Sequence, residues 1–276
     1  MRDGYELLDS GDGRKLERFG RYVLARPCSQ ALWRPSRPEG EWARADASFD
    51  REDGNRWHGR SNLPKEWEIE TAGIKFRLGG TDFGHLGIFP EQRAQWKWIR
   101  DVVSGKRASV LNLFAYSGGS TLAAALGGAE VCHLDASKGM VEWARANARL
   151  NGLADAPIRW IVDDAHKFMR REIRRGRRYD AIVLDPPTFG HGASGETYKV
   201  ERDLGETFEL VRGLLCERPL FVLFSSHTPG LSPLAAENIL GQLWPDARIE
   251  SGEMVLEGAG TGCPSGVFCR AVWNMV

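Results

Sequence analysis

The feature that most limits the fold is a series of strand and helix signals that begins at Ser109. Short apolar runs alternate from there with segments of helical periodicity, and the runs are SVLNLF, AEVCHLD, IRWIVDD, YDAIVLD and PLFVLFSS. A strand followed by a helix, repeated several times, is typical of parallel strands joined by crossover helices. The sequence therefore predicts an α/β fold with an open, mostly parallel, Rossmann-like sheet, whose ligands bind at the carboxyl ends of the strands.

The two ends of the chain differ from this pattern. Residues 1–80 contain short alternating stretches such as WEIETAGIKFRLGG, broken by glycine, proline and aspartate, and they predict a small β-rich domain. Near the other end, RIESGEMVLEG and SGVFCRAVWN are joined by AGTGCP, a spacing that predicts an antiparallel pair closing one edge of the sheet. We expect a small domain over residues 1–80, as a candidate for substrate recognition, and the sheet domain over residues 81–276.

Composition narrows the partners and the compartment. Basic and acidic residues number 37 each, so no global field attracts a polyanion, and such a partner needs a local patch. No apolar run approaches the roughly 18 residues of a membrane span, and the first residues lack the apolar core of a signal peptide. The 5 cysteines lack CxxC spacing, which predicts reduced thiols and no metal. We expect a cytoplasmic protein with no membrane partner, and nothing in the sequence indicates its oligomeric state.

The first predicted strand of the sheet runs into a glycine-rich segment, NLFAYSGGSTLAAA. Gly118 and Gly119 fall between the strand and a helix, where a tight turn and a close approach of the backbone to a ligand need glycine. A glycine-rich turn without a ligand is the alternative. The dinucleotide fingerprint GxGxxG is absent, which makes NAD the less favoured ligand.

Acidic residues end the next two predicted strands. Asp135 can accept hydrogen bonds from both hydroxyls of a ribose, or else Asp135 or Ser137 can cap the following helix. Together with the glycine turn, the ribose is favoured. After the third strand, Asp163 or Asp164 can accept from an adenine amino group while the Ala165 amide meets a ring nitrogen, and helix capping is again the alternative.

The fourth predicted strand ends in DPPTFG. Pro186 and Pro187 lack an amide hydrogen, so the chain must leave the sheet there, and the second proline biases the first toward an extended conformation. The carbonyls of Asp185 and Pro186 then point in fixed directions, with Phe189 close enough to stack on a flat ring. Such an edge suits a planar heterocycle that bears donors, such as a nucleobase outside its stack. A buried strand end with an ordinary turn is the alternative.

These motifs, in this order on successive strands, resemble those of class I S-adenosylmethionine-dependent methyltransferases. More narrowly, GIFPEQR, VLNLFAYSGGSTLAAALGGA, DASKGMVEWARANARLNGL and DPPTF resemble the bacterial family that methylates large-subunit ribosomal RNA at cytosine C5 or guanine N7. The resemblance covers about residues 80–275. It implies a seven-stranded methyltransferase sheet, S-adenosylmethionine as cofactor and ribosomal RNA as partner.

The resemblance also implies roles for individual residues. The residues that match cofactor contacts are Phe89, Gln92, Arg93, Asn112, Phe114, Tyr116, Ser117, Gly118, Asp135, Ser137, Asp164, Ala165 and Asp185. The residues that match the methyl-transfer centre are Asp185, Pro186, Pro187 and Phe189.

One departure from the family bears on the substrate. The cytosine enzymes carry a cysteine after the fifth strand, because C5 of cytosine is a poor nucleophile until a thiolate adds to the ring. This chain has LFSSHT there, with Ser226 in the cysteine position, and an alkoxide is far harder to form than a thiolate. A guanine N7 offers a lone pair without such activation, so a nitrogen is the favoured target. For His227, an ordinary loop histidine is favoured over a substrate contact.

Two basic regions are candidates for RNA contacts. The run KFMRREIRRGRRYD joins a helix to the start of the fourth strand, which predicts a solvated position opposite the site. In the amino-terminal domain arginines lie among tryptophans: Arg26, Arg34, Arg37, Arg44, Arg51, Arg56 and Arg60 with Trp33, Trp42 and Trp57. This second region is the favoured RNA surface, although acids are mixed into it and tryptophans of small β domains are commonly core.

Three functions remain open at this stage. The favoured one is a methyltransferase acting on a nucleobase of ribosomal RNA. The others are a methyltransferase of a protein or a small molecule, and a nucleoside-binding module without activity, which the intact DPPTF disfavours.

Overall fold

The computed structural model describes residues 4–51, 54–191, 195, 197–258 and 261–273. The chain divides into two compact units, the first formed by Met1–Ala94 with Met254–Ser265 and the second by Gln95–Glu253 with Gly266–Val276. The first unit extends beyond the predicted 1–80 domain and includes a returning segment, in which Gly258 forms a β-bridge with Leu7.

The first unit is rich in β-structure, which confirms a small β domain at the amino terminus. Its main sheet has five strands in sequential order, β1 (Tyr5–Gly11), β2 (Arg14–Phe19), β3 (Tyr22–Pro27), β4 (Ala47–Asp50) and β5 (Arg56–His58). Its other elements are the short helix α1 (Glu39–Trp42), the hairpin of β6 (Trp67–Thr71) with β7 (Ile74–Leu78), and 3-10 turns at Arg60–Asn62 and Pro90–Gln92. The pairings within these sheets are antiparallel, as short alternating stretches predict, except that β3 and β4 run parallel to each other.

The second unit is built on a seven-stranded sheet. Its strands are β8 (Ser109–Leu113), β9 (Glu130–Asp135), β10 (Ile158–Val162), β11 (Ala181–Leu184), β14 (Phe221–Ser226), β15 (Arg248–Leu256) and β16 (Cys263–Val272), and a separate hairpin pairs β12 (Phe189–His191) with β13 (Thr197–Lys199). The helices are α2 (Arg93–Val103), α3 (Gly119–Leu126), α4 (Lys138–Leu150), α5 (Ala165–Arg174), α6 (Val200–Leu214) and α7 (Pro233–Leu243).

The strand order of the large sheet is β10-β9-β8-β11-β14-β16-β15. The strands from β10 to β14 in this order are parallel, whereas β16 runs antiparallel to β14 and β15 takes the edge beside it. This confirms the predicted Rossmann-like sheet with its carboxyl-terminal strand pair. The chain order reverses between β8 and β11, and open α/β sheets bind ligands at such a switch point.

The core of the second unit explains the apolar runs of the sequence. Strand β11 is buried along its whole length, because helices cover both faces of a parallel sheet. Phe168 of α5, Phe208 of α6 and Phe224 of β14 are each at most 1% exposed and belong to one hydrophobic cluster. Within the described residues, no helix is long and apolar enough to cross a membrane.

Candidate active site

A cleft opens at the carboxyl ends of β8, β9, β10 and β11. The space within it, open solvent included, is about 410 Å³. Its walls are formed by Phe114, Leu134, Asp135, Ala136, Asp163, Asp164, Ala165, Pro187, Gly190 and Tyr198. The sequence singled out five of these positions from strand ends, namely Asp135, Asp163, Asp164, Ala165 and Pro187, and the family resemblance added Phe114.

The loop after β8 has a strained backbone. Phe114 and Tyr116 have positive φ angles of 53° and 49°, which side chains with a Cβ rarely adopt, and Gly118 follows with φ 93°. The loop is held by the Asn147 side chain, which donates to the Ser117 carbonyl at 3.0 Å. At Gly119 a Cβ would lie 2.6 Å from the Trp96 ring, so that glycine serves packing. Strain of this kind concentrates at ligand sites.

Asp135 is half-buried at the end of β9 and anchors the same loop. Its Oδ2 accepts from the Tyr116 amide and its Oδ1 from the Ser137 amide, each at 2.8 Å. Burial raises the pKa of Asp135, and the two amide hydrogen bonds oppose that shift. The cap of α4 is Ser137, whose hydroxyl accepts from the Met140 amide. Of the two residues that can cap this helix, Ser137 therefore does so, and Asp135 lines the cleft.

The two acids after β10, Asp163 and Asp164, each have a different partner within the protein. Asp164 caps α5, since its Oδ1 accepts from the Lys167 amide at 2.9 Å. Asp163 pairs with Arg171, with 2.7 Å between Oδ2 and Nη2. Both acids nevertheless line the cleft beside Ala165, the first residue of α5. The capping alternative is correct for Asp164, and an adenine contact from it stays a prediction.

The DPPTF segment leaves β11 beside the loop that follows β14. Because these strands are adjacent and parallel, Asp185 meets His227, with 3.5 Å between Oδ1 and Nδ1. The hydroxyls of Thr188 and Thr228 lie 2.9 Å apart and join the same two loops. His227 therefore neighbours the DPPTF acid, a contact that the sequence interpretation of an ordinary loop histidine missed.

The rest of the segment carries the chain outward. Pro186 is buried, Pro187 lines the cleft, and Phe189 is 51% exposed at the start of β12. The β12–β13 hairpin pairs Gly190 with Tyr198, and both line the cleft.

Tyr198 is a cleft residue that the sequence analysis did not find. Its ring centroid lies 5.2 Å from that of Phe114, and its hydroxyl lies 3.1 Å from that of Thr207. Burial raises the pKa of Tyr198 to about 12. No recognisable motif marks this position, since the hairpin strands are only 3 residues long each. Phe114 and Tyr198 give the cleft an aromatic wall on which a flat ring can pack.

Other predicted cofactor residues are not among those that line this cleft. They are Asn112, Tyr116, Ser117, Gly118, Ser137 and Asp185. Asn112 is buried, and its side-chain amide donates to the Thr121 hydroxyl at 2.9 Å. This contact stabilises the start of the loop after β8. The direct contact of Asn112 with a cofactor stays a prediction, as do those of the others.

The remaining candidates, in GIFPEQR, belong to the first unit. Gln92 is buried, Phe89 is half-buried, and the guanidinium of Arg93 lies 4.8 Å from the Tyr5 ring centroid. Their roles toward a cofactor also stay predictions.

The fold and the cleft define an open α/β protein with a candidate ligand site at the carboxyl ends of its parallel strands, and the family match identifies its class. The family described as S-adenosylmethionine-dependent methyltransferase matches residues 40–216. The chain belongs to this family, which confirms the resemblance noted in its motifs.

Several relatives are similar over longer stretches. A solved S-adenosylmethionine-dependent methyltransferase from Agrobacterium tumefaciens is 37% identical with a TM-score of 0.92, and the match covers 98% of this chain and 90% of that one. Ribosomal RNA large subunit methyltransferase K/L of Syntrophotalea carbinolica is 32% identical over 66% of this chain and 26% of its own length. Ribosomal RNA large subunit methyltransferase I of Aeromonas salmonicida is 28% identical over 74% of this chain and 52% of its own. The chain thus spans about half or less of these two ribosomal RNA enzymes.

The cofactor of the family is S-adenosylmethionine, and the residues of the cleft fit it. The strained loop after β8 brings backbone close to the cleft, Asp135 offers carboxylate oxygens for hydroxyl donors, and an aromatic wall suits an adenine ring. When bound, this cofactor supplies an electrophilic methyl group on a positively charged sulfur.

Proposed function

We propose that the chain methylates a nucleobase of ribosomal RNA, and that the target atom is a nitrogen such as guanine N7. The observation that carries the proposal is the DPPTF segment, which follows β11 with Pro187 in the wall of the cleft and Phe189 exposed beyond it. A rigid acceptor edge beside a methyl-donor site suits a planar base that has left its stack. The names of the relatives support RNA as the substrate class.

The environment of Ser226 supports a nitrogen over C5 of cytosine. Ser226 is 1% exposed, and its hydroxyl donates to the Thr228 hydroxyl at 3.0 Å and accepts from the Thr228 amide at 3.1 Å. A buried hydroxyl occupied in a turn is poorly suited to attack a pyrimidine ring, even before its high pKa is considered. A ring nitrogen with a lone pair needs no covalent activation.

The residues of the DPPTF segment have positioning roles in this proposal. Asp185 and the carbonyl of Pro186 hold the base, and Phe189 stacks on it. Little acid or base chemistry is needed for attack by a ring nitrogen, so alignment supplies most of the acceleration, and alignment alone is worth roughly 7–11 kcal/mol. If the target is an amino nitrogen instead, Asp185 also accepts its proton.

The tryptophans of the first unit argue against a stacking surface made of their rings. Trp42 is 3% exposed, and the indole nitrogens of Trp33 and Trp57 donate to the carbonyls of Ser10 and Thr81 at 2.8 and 2.7 Å. These contacts serve the folding of the unit. Arg26 is also internal, since it pairs with buried Glu17 at 2.7 Å.

The RNA proposal requires a local basic patch. The exposed arginines of the first unit are therefore its candidates for RNA contacts. Arg34, Arg44, Arg51 and Arg56 are all exposed.

The decisive experiment is transfer of a labelled methyl group into total RNA from a strain that lacks the gene, followed by nucleoside analysis. We expect label in a methylated purine, with 7-methylguanosine as the leading product. Label in 5-methylcytidine overturns the interpretation of Ser226. No label in RNA, together with normal binding of the cofactor by calorimetry, removes RNA and leaves a protein or small-molecule substrate. Absence of binding as well leaves no basis for the proposed activity.

A further inference from the structure

Two thiols that are far apart in the sequence meet in the first unit. The sulfurs of Cys28 and Cys263 lie 3.1 Å apart, although 235 positions separate them in the chain. Cys28 follows β3, and Cys263 begins β16 on the returning segment. The sequence analysis treated all cysteines as separate reduced thiols, because their spacing contains no local motif.

The surroundings of the two sulfurs differ. Cys28 is half-buried and lies near the Lys15 ammonium and the amides of Gln30 and Ala31, whereas Cys263 is 0% exposed. A hydrogen bond from the Cys263 thiol, together with the cation and the amides, lowers the pKa of Cys28 to about 6. The same hydrogen bond and burial raise the pKa of Cys263. Cys28 is therefore the accessible nucleophile, and Cys263 is the buried thiol beside it.

The remaining cysteines have no such arrangement. Burial raises the pKa of Cys132 to about 11 and that of Cys269 to about 12. Cys216 is half-buried, and burial also raises its pKa. Its sulfur lies 3.4 Å from a carboxylate oxygen of Asp180, which disfavours a thiolate. These three thiols, all in the second unit, serve as internal controls for reactivity.

We propose that Cys28 and Cys263 form a reactive dithiol site that a hydroperoxide oxidises to a disulfide. The sulfur atoms need to approach by only about 1 Å to reach the roughly 2.05 Å of a disulfide bond. This site is separate from the cleft and does not depend on the proposed substrate.

The chemistry proceeds in two balanced steps. The Cys28 thiolate attacks the terminal oxygen of the hydroperoxide, the O–O bond breaks, and the leaving oxygen takes a proton to give water or an alcohol. Cys28 is then a sulfenic acid. The Cys263 sulfur attacks the Cys28 sulfur, the S–O bond breaks, and the departing hydroxide takes the thiol proton as water. Two thiols are oxidised by two electrons in total, and one hydroperoxide is reduced.

The disulfide has a structural consequence within the first unit. It links the turn after β3 to the returning segment, which is otherwise joined to the sheet at the bridge between Leu7 and Gly258. Cross-links that close long loops restrict the unfolded chain most. We therefore expect the oxidised protein to melt at a higher temperature than the reduced protein.

The test treats the reduced full chain with hydrogen peroxide, alkylates the remaining thiols, and maps peptides without reduction. We expect an intramolecular link between Cys28 and Cys263 and full alkylation of Cys132, Cys216 and Cys269. In Cys263→Ser the sulfenic acid stops at Cys28 and is trapped by dimedone, and in Cys28→Ser the thiol at 263 survives. Cys216→Ser is the matched control and leaves the link unchanged.

Other outcomes overturn the proposal. Oxidation of Cys28 no faster than that of Cys216 in the native protein removes the reactive thiol, and this comparison needs no variant. A link found only between molecules removes the intramolecular pair. Thermal melting of each variant establishes that it is folded, and none of the readouts uses methyl transfer, so failure of the proposed function leaves this test intact.

Discussion

The amino ends and the carboxyl ends of the parallel strands, called here the amino edge and the carboxyl edge, each hold an acid, and they hold it in different ways. At the amino edge, Glu172 of α5 is 0% exposed and accepts hydrogen bonds from Arg159 at 2.8 Å, Tyr179 at 2.9 Å and Arg175 at 3.3 Å. At the carboxyl edge, Asp135 accepts from two backbone amides and lines an open cleft. Side chains of the protein itself satisfy the first acid, whereas the second retains acceptor capacity toward a ligand.

The pKa values of these two acids are shifted in opposite directions. Burial raises the pKa of each. At Glu172 the hydrogen bonds from Arg159, Tyr179 and Arg175 outweigh burial and leave its pKa below the usual value. At Asp135 the two amides do not, and its pKa stays above. Glu172 therefore contributes to the stability of the fold, whereas Asp135, which is held only by amides, is a candidate ligand contact.

The largest effect is expected at the carboxyl edge, from Asp185→Ala. If Asp185 orients the base, methyl transfer to RNA falls by about 10³-fold, roughly 4 kcal/mol, comparable to the loss of a preorganised transition-state contact. Calorimetry still detects cofactor binding, since the other predicted cofactor contacts are intact. The matched control is His227→Ala, whose side chain lies 3.5 Å from Asp185 and for which we expect about a tenfold loss. Unchanged turnover in Asp185→Ala excludes the assigned role.

The amino edge is expected to respond in stability. Glu172→Ala removes the shared partner of Arg159, Arg175 and Tyr179 and leaves the buried Tyr179 hydroxyl without this acceptor, so the free energy of unfolding in urea falls by about 3 kcal/mol. The control Arg175→Ala, whose side chain is 56% exposed, costs less than about 1 kcal/mol. Cofactor affinity of the folded variants is unaffected. A loss of affinity without a loss of stability contradicts the division between the edges.

The stability of the protein is expected to depend on pH through Glu172. The pKa of Glu172 is lowered on folding, so its stabilising contribution is present above the unfolded value of about 4.3 and is lost as pH falls through the folded pKa. Glu172→Ala abolishes this part of acid denaturation.

Much of the carboxyl edge was predictable because strand ends are encoded locally. Apolar runs gave the strand termini at Asp135 and Asp163, and the missing amides of Pro186 and Pro187 ended β11 where expected. Parallel pairing then brings these ends together whatever the loops do.

Contacts between distant segments were not predictable in this way. Tyr198 reaches the cleft through a hairpin of two short strands, too short for periodicity to reveal. The pairing of Asn112 with Thr121, and the meeting of Cys28 with Cys263, depend on tertiary packing that no local pattern carries. Whether Asp135 or Ser137 caps α4 likewise depends on a tertiary contact, because the Asp135 carboxylate is bound to the loop after β8 and Ser137 accepts from the helix amide.

A smaller effect is expected from Asp135→Asn. Loss of the charged acceptor weakens cofactor binding by about 2 kcal/mol, or roughly 30-fold, within the range for hydrogen bonds to charged groups. The pKa of Asp135 is shifted in the opposite direction to that of Glu172, but the pH dependence has the same sign: affinity of the native protein falls as pH drops through the raised pKa of Asp135, because the neutral carboxyl is the weaker acceptor. In Asp135→Asn this decline disappears. Calorimetry across pH measures both effects, and an equal decline in the variant assigns it elsewhere.

The smallest effect is expected from the basic run at the amino edge. Arg174, Arg177 and Arg178 are exposed where α5 ends and the chain turns toward β11, away from the cleft at the opposite end of that helix. Their triple replacement by alanine should change RNA methylation less than about twofold, because charges beyond a Debye length of about 8 Å are screened. Lys199→Ala, beside Phe189 at the carboxyl edge, is the matched cation and should weaken RNA binding and lower its salt slope by about 1. If RNA methylation instead falls tenfold in the triple variant while Lys199→Ala has no effect, the RNA contacts lie at the amino edge and not at the carboxyl edge.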